Sequence, residues 1–438
     1  MLRQLTRYQW LVILAAWLGW GFDVFDALLF NFVAANAIST LLDLEPGCAV
    51  ARQQTVYWTG VLSSLLLVGW AVGGVLFGWL ADRFGRKRAL MLTILVYGLG
   101  TSLCAFATSI NQLIAFRALT SLGIGGEWAV GAALVAESVP EQYRVAAGTL
   151  LQTASPIGIF LASIVNYQIA GVWFVGQPTQ SWRYVFLCGL APVAVALLLR
   201  IVLRESDRWQ QQAAGGPAAS IADLVRPETV AATHAAVMVS MAGLLTWWAI
   251  NAFIPILGGT LAADELRAAG VDPAGSATLV EAWKARASNA FNLGGLLGCF
   301  AAIPLAVRFG RKPMFISYFL ASAAAIGVVF GLPWSPSQRI VGLFVIGLPV
   351  YGVFSTYVFY LPELFPTRLR GLGAGLSFNI GRVLAAAGPF VVGTIAARAG
   401  GNSQVIMDTL LWVALVPVAA ALLSLRWVVE TRNTQLPD

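Results

Sequence analysis

Apolar residues run through the chain in long blocks, and the polar residues gather in short gaps between them. A run of about 18 or more apolar residues is long enough to cross the hydrocarbon core of a bilayer as a helix. The pattern predicts twelve such spans, at 9–37, 56–81, 88–109, 111–137, 144–172, 182–203, 232–259, 285–307, 313–332, 338–361, 370–397 and 405–428. A membrane barrel would alternate apolar and polar residues in segments of about ten, a pattern the chain lacks. The predicted fold class is an all-α membrane protein.

Repetition organises these spans. "ADRFGRK" at 81–87 returns as "AVRFGRK" at 306–312, and "ESVPEQYR" at 137–144 is answered by "ELFPTRLR" at 363–370. The two offsets, 225 and 226 residues, are nearly equal, and each copy follows an apolar run. The chain therefore reads as a six-helix unit used twice, with an N-terminal bundle at 1–204 and a C-terminal bundle at 232–438. Between them, residues 205–231 are polar and rich in Gly, Pro and Ala, and read as a cytoplasmic linker. Parallel repeats of this kind place a substrate site near the midplane between the halves.

Composition agrees. Hydrophobic residues make up 58% and charged residues 11%, against about 25% charged in soluble domains. The net charge of +7 raises the question of nucleic acid, and its distribution answers it. Seventeen Lys and Arg fall in the N-terminus, the even-to-odd loops and the C-terminus, and seven on the opposite side. That asymmetry follows the positive-inside rule and puts both termini in the cytoplasm. The basic balance is topological, so no nucleic-acid partner is expected; the bilayer is. "MLRQLTRYQW" leads into an apolar run too long for a signal peptide, so it reads as a retained first span. The four cysteines have no metal-ligand spacing, and the single histidine, His234, sits where the seventh span starts. No metal and no organic cofactor is expected.

"GWLADRFGRKRA" (78–89) resembles the signature loop between the second and third helices of the major facilitator superfamily. "RALTSLGIGGEWAVGAALVAE" (117–137) is similar to that superfamily's fourth helix, and "RESDRWQ" (204–210) and "VETRNTQL" (429–436) resemble helix ends in its sugar-porter and metabolite–proton symporter branches. The FDxxD pattern in the first span, "GIGGEW" in the fourth and "NIGR" in the eleventh resemble bacterial proton symporters for sialate, aromatic acids and small metabolites. The resemblance implies two pseudo-symmetric six-helix bundles, alternating access, a bacterial cytoplasmic membrane and a monomer. It also implies a gating role for Asp82, Arg83, Gly85, Arg86 and Lys87, bridging the second helix to the eleventh. Ser121 and Val307 depart from the family pattern, Val307 standing where the first copy has Asp82.

Ionisable residues inside spans cost about 2.5–3.5 kcal/mol on insertion scales and normally face the protein interior. Asp23 and Asp26 lie one i,i+3 step apart near the middle of the first span, with Asn31 further along. Two carboxylates in a low dielectric resist joint ionisation, so one holds a proton readily. That suits proton coupling; a structural contact between helices is the plainer alternative. Arg117 in the fourth span is their expected cationic partner. Depth along the helices leaves Asp26 open, whereas the likeness of "GFD" at 21–23 to the "GYD" of proton-coupled sugar porters favours Asp23, which is the expected proton carrier. Glu127 either relays a proton inward or bonds locally. Arg382, with Asn379 one turn before it, is suited to a bidentate carboxylate contact at the midplane; the competing role is a lock against Asp23, Asp26 or Glu127. Weaker candidates for the cavity wall are Gln152, Ser155, Trp247, Trp248, Asn251, Asn289, Asn292, Tyr351, Phe354 and Tyr357.

These residues point to a secondary transporter that couples proton entry to uptake of a small organic anion. A sugar or polyol porter is the runner-up; a drug efflux antiporter and a membrane sensor follow. The carboxylates and amides also leave sodium open as the coupling ion. No nucleophile–base pair or catalytic domain marks an enzyme.

Overall fold

The computed structural model describes residues 5–140, 143–202, 220–366 and 369–432, without a number of side chains, those of Asp82, Arg86 and Glu127 among them. The N-terminal half comprises α1 (Arg7–Leu41), α2 (Ala49–Phe84), α3 (Arg86–Cys104) and α4 (Ile110–Ser138). It continues with α5 (Arg144–Gln152 and Ala154–Gln168, ending in a π turn at Ile169–Trp173) and α6 (Pro178–Cys188 and Leu190–Val202). The C-terminal half begins with α7 (Val230–Asn251 and Ile254–Ala268), α8 (Ala277–Phe309) and α9 (Arg311–Gly331). It closes with α10 (Pro336–Gly352 and Phe354–Glu363), α11 (Arg370–Ala385 and Ala387–Arg398) and α12 (Ser403–Trp412 and Leu415–Trp427). Among the described residues, nine helices are long and apolar enough to cross a membrane.

Prolines set the breaks. The first segments of α5, α6, α7 and α11 end at Gln152, Cys188, Asn251 and Ala385, and in each case a proline follows four residues later: Pro156, Pro192, Pro255 and Pro389. Proline has no N–H for the i−4 carbonyl and its ring crowds that carbonyl, so the ladder opens there. Short polar side chains set the starts: Thr6 with Gln9 and Ser335 with Gln338 form capping boxes on α1 and α10.

Three predicted boundaries move outward. α2 begins at Ala49 instead of 56, α7 runs to Ala268 instead of 259, and α8 begins at Ala277 instead of 285. Arg52, Arg267 and Lys284, counted from sequence among the charges of the outer loops, therefore lie within helices. Their charges found partners a hydropathy pattern does not register: Arg52 bonds the Gly47 carbonyl, Arg267 pairs with Asp264 and Lys284 with Glu281. In the linker, residues 205–219 lie outside the described residues, and a short 3-10 turn at Ile221–Val225 leads into α7.

The repeat is visible in the backbone. Gly85 joins α2 to α3 with φ 104°, and Gly310 joins α8 to α9 with φ 105°. Only glycine takes that conformation without strain. The equivalent crossings are also glycine-lined: a Cβ on Gly125 would sit 2.0 Å from the Trp70 carbonyl oxygen between α4 and α2, and one on Gly347 would sit 1.9 Å from that of Phe291 between α10 and α8. Small residues let membrane helices pack this closely.

We call the end that bears the termini inner, and the opposite end outer. The halves meet along an outer seam. Between α2 and α11, a Cβ on Gly60 would lie 2.5 Å from the Pro389 carbonyl oxygen, and Ser64 donates to the Ala386 carbonyl at 2.6 Å. Between α5 and α8, Ser163 donates to Asn289 at 2.7 Å and Asn166 to Glu281 at 2.7 Å. Further in, the α2–α11 seam parts: a Cβ on Gly78, Gly371 or Gly375 would meet nothing within 4 Å.

At the inner end of the second half, acids cap α9. Arg311 reaches both Glu363 oxygens, at 2.8 and 3.1 Å, and Thr431 adds a bond to the same carboxylate. The Glu430 carboxylate accepts the backbone N–H groups of Arg311, Lys312 and Arg432 at 2.9–3.0 Å. Partial burial raises the Glu430 pKa, but those three donors and the Arg311 charge outweigh it and hold the carboxyl below its ordinary value. A depressed carboxyl stabilises the fold above its unfolded pKa and loses that contribution as pH falls through the folded value. Glu430→Gln is expected to lower the melting temperature at pH 7, and the gap from wild type to close below about pH 4, under the ordinary glutamate value; thermal melts across pH check this. Gly310→Ala, strained at positive φ and placing its Cβ 2.5 Å from a Glu430 oxygen, is expected to cost more than about 1 kcal/mol.

Candidate functional site

The site builds around the midplane, where the helix breaks expose side chains of both halves to one another. Arg382 lies on α11 three residues before the break, 3% exposed. Its Nη1 donates to Asn379 Oδ1 at 2.8 Å, one turn earlier on the same helix. The guanidinium carbon lies 4.7 Å from the Trp70 ring centre and 4.9 Å from that of Phe378. Among the described residues, no ion pair involves Arg382, and neither Asp23 nor Asp26 reaches it. The lock read from sequence as its alternative role is thus not formed with either aspartate; Glu127, the third partner considered, lies outside the described side chains.

Aromatic rings close a circuit that begins and ends on this guanidinium. Phe378 meets Tyr357 at 6.1 Å between ring centres, Tyr357 meets Phe354 at 5.3 Å, and Phe354 meets Trp247 at 6.1 Å. Trp247 stands edge-on to Trp248 at 4.8 Å, and Trp248 to Trp70 at 6.1 Å. Tyr351 tilts against Trp247 at 5.7 Å, and Trp20 of α1 meets Trp70 at 5.9 Å. The circuit draws on α2, α7, α10 and α11, so both halves build it. The indole N–H groups of Trp70 and Trp247 are buried there without an acceptor among the described residues. A buried donor left unmade costs about 1–3 kcal/mol, so these are positions where an acceptor atom of a guest is stabilised.

A second cluster lies inside the N-terminal half. Asp26 and Asp23 are buried on α1. One Asp26 oxygen accepts a short hydrogen bond from Thr101 of α3. The other faces Gly189 of α6, where a Cβ would stand 2.9 Å from it. Arg117 of α4 is also buried and gives two hydrogen bonds to main chain, 2.8 Å to the Ala27 carbonyl and 3.4 Å to that of Asp26, with its guanidinium over the Phe30 ring. It therefore reaches the backbone beside Asp26 and not the carboxylate, whose oxygen Thr101 holds.

The remaining candidates scatter. Asn31 and Asn251 are buried on α1 and α7. Asn289 belongs to the outer seam, accepting from Ser163. Asn292 donates to the Ser288 carbonyl of its own helix, which is a packing role. Gln152 lines a small hollow with Cys299 and Ser355 at the α5–α8–α10 junction. In the signature loop, Arg83 is exposed and lies over the Trp79 and Phe84 rings, Gly85 makes the turn, and Lys87 is half-buried. Sequence reasoning passed over Trp70, Trp20, Phe378 and Thr101. A tryptophan or threonine in a span resembles ordinary packing, and only the fold brings these to a charged group.

Comparison with known proteins places this geometry. The chain is 30% identical to the cis,cis-muconate transport protein of Acinetobacter baylyi, over 78% of this chain and 79% of that one. It is 26% identical to the gentisate transporter of Corynebacterium glutamicum, over 90% and 83%. The fold matches the crystal structure of a D-xylose-proton symporter with a TM-score of 0.73 at 18% identity, covering 98% of this chain and all of that one. The relatives are transporters, and no enzyme is among these. The family model of the Major Facilitator Superfamily matches residues 10–389, and the chain belongs to that superfamily of membrane transporters.

Proposed function

We propose that the chain is a proton-coupled symporter that carries a small organic anion, a carboxylate on a flat, unsaturated body, by alternating access across a bacterial cytoplasmic membrane. The observation that carries this reading is Arg382: a buried guanidinium at the seam of the two halves, held by an amide and two ring faces and paired with no described carboxylate. A charge so placed gains most from a guest that brings the opposite charge. The surrounding rings suit a planar apolar body, and the indole N–H groups of Trp70 and Trp247 lie buried within the circuit with donor capacity to spare among the described residues. Two relatives named for muconate and gentisate transport, both organic acids, support the same cargo class.

For the coupling proton we favour Asp26. Its carboxylate is buried, held by Thr101 and near the cationic Arg117 without being locked to it. A carboxyl that is neither freely hydrated nor firmly ion-paired can take and release a proton during a cycle. Asp23 stays as the second candidate, buried three residues away. A sugar porter would need no fixed cation at the centre, and the cargo's charge separates the two readings.

Reconstituted protein is expected to accumulate labelled benzoate-type carboxylates under an inward proton gradient and to ignore the matching amides. Arg382→Gln is expected to weaken carboxylate binding at least about thirtyfold, the low end of truncating a desolvated charge contact. Uptake of neutral sugars unaffected by Arg382→Gln would favour the sugar porter. Asp26→Asn is expected to abolish gradient-driven accumulation while leaving carboxylate counterflow; Asp23→Asn in parallel identifies the carrier, and replacing the proton gradient by a sodium gradient tests the ion.

A further inference from the structure

At the outer end of the α5–α8 seam lies a cleft of about 610 Å³ that the cargo site does not use. Its walls come from both halves: Tyr167, Val175 and Gly176 from the first, Ser276, Leu279 and Arg286 from the second. Thr278 crosses it, donating to the Gly171 carbonyl at 2.6 Å. Beneath it, Asn166 and Lys284 both bond to Glu281, so that acid is neutralised and turned inward. Arg286 is exposed, and among the described residues it makes no ion pair or hydrogen bond. At the same outer surface, Arg267 is spent on Asp264 and Arg52 on a carbonyl.

Two observations identify what this cleft takes. The N-terminus of α8 opens into it, with Ser276 at the cap position making no side-chain capping bond, so two features favour an anion there: the helix end and Arg286. Second, Arg286 stands on a stripe of α8 that faces outward along its length, with Leu279, Leu293, Leu297 and Phe300 each 39–53% exposed. The helix has 33 residues, about 50 Å at 1.5 Å per residue, against a hydrocarbon core of about 30 Å. Shared evenly, that excess leaves about 10 Å beyond each boundary, and Arg286 lies about 13 Å from the outer end. Its long side chain therefore lifts the guanidinium to headgroup level. An anion with apolar chains below it fits such a place.

We infer that this cleft is a binding site for one phospholipid of the outer leaflet, its phosphodiester on Arg286 and the first turn of α8, its acyl chains along Leu293, Leu297 and Phe300. Because both halves form the walls, the lipid fits only while the outer seam is closed, and it stabilises that state against the open one by binding it preferentially.

The test uses full-length protein in mild detergent, with bound lipid counted by native mass spectrometry. Wild type is expected to retain phosphatidylglycerol about five times better than Arg286→Gln, the ratio set by one basic side chain near a phospholipid surface. Arg286→Lys is expected to keep most of the binding. Monoglucosyl diacylglycerol, with similar chains and no phosphate, is expected to bind both forms equally weakly, and 10 mM glycerol 3-phosphate is expected not to displace the lipid. Equal retention by wild type and Arg286→Gln would overturn the site. Retention of the phosphate-free lipid by wild type as strong as that of phosphatidylglycerol would overturn the role of the anion, and displacement by glycerol 3-phosphate would overturn the lipid and reassign the cleft to a soluble anion. None of these readouts depends on the transported cargo.

Discussion

A guanidinium removed from water must be compensated where it lies, and the two central arginines of this bundle find different acceptors. Arg117 gives its hydrogen bonds to main-chain carbonyls of α1, which fixes the first and fourth helices together. Arg382 has one amide and two aromatic faces, which stabilise a cation while leaving its hydrogen-bonding capacity largely unspent. The first arrangement is structural glue. The second leaves the charge free to gain from an anion, as the proposed cargo site requires. That difference separates scaffold from function more sharply than burial does, since both side chains are almost wholly enclosed.

The seam gives this charge a cycle to act in. Contacts between the halves are tight at the outer end, through glycine on α2 and α11 and through amide and hydroxyl bonds between α5 and α8. They loosen along the inner part of α2 and α11. Proline-set breaks in α5, α7 and α11 lie near the middle, where a change of angle between half-helices moves one end without disturbing the other. Trp70 and Arg382 sit at that level, contributed by opposite halves. A guest bound between them touches both bodies, so its binding energy can bias their relative position.

Much of this was legible in the chain. The apolar runs locate the spans, with three boundaries lying seven to nine residues further out, and the repeated "RFGRK" reappears as two glycine turns of almost identical φ. Arg382 stood out because a charge in the middle of a span is costly wherever it occurs. Thr101 did not, because its importance lies in being opposite Asp26, a relation 75 residues apart in sequence. The aromatic circuit was half-visible: Trp247, Trp248, Tyr351, Phe354 and Tyr357 were candidates, but Trp70 and Phe378, which touch the guanidinium, had no local mark. Residues 277–284 fall outside the span that the apolar run predicts because Glu281 and Lys284 look polar singly, whereas in the helix they neutralise one another at 2.6 Å. Side-chain pairing hides in a hydropathy profile; topology does not.

The central claim is that Arg382 binds the negative charge of the cargo inside a ring of tryptophans. Titrating the intrinsic tryptophan emission of purified protein with a benzoate-type carboxylate, and separately with its amide, tests this most directly. The account predicts saturable quenching by the carboxylate, none by the amide, and loss of the response in Arg382→Gln. Equal quenching by acid and amide, or an unchanged titration in Arg382→Gln, would contradict it.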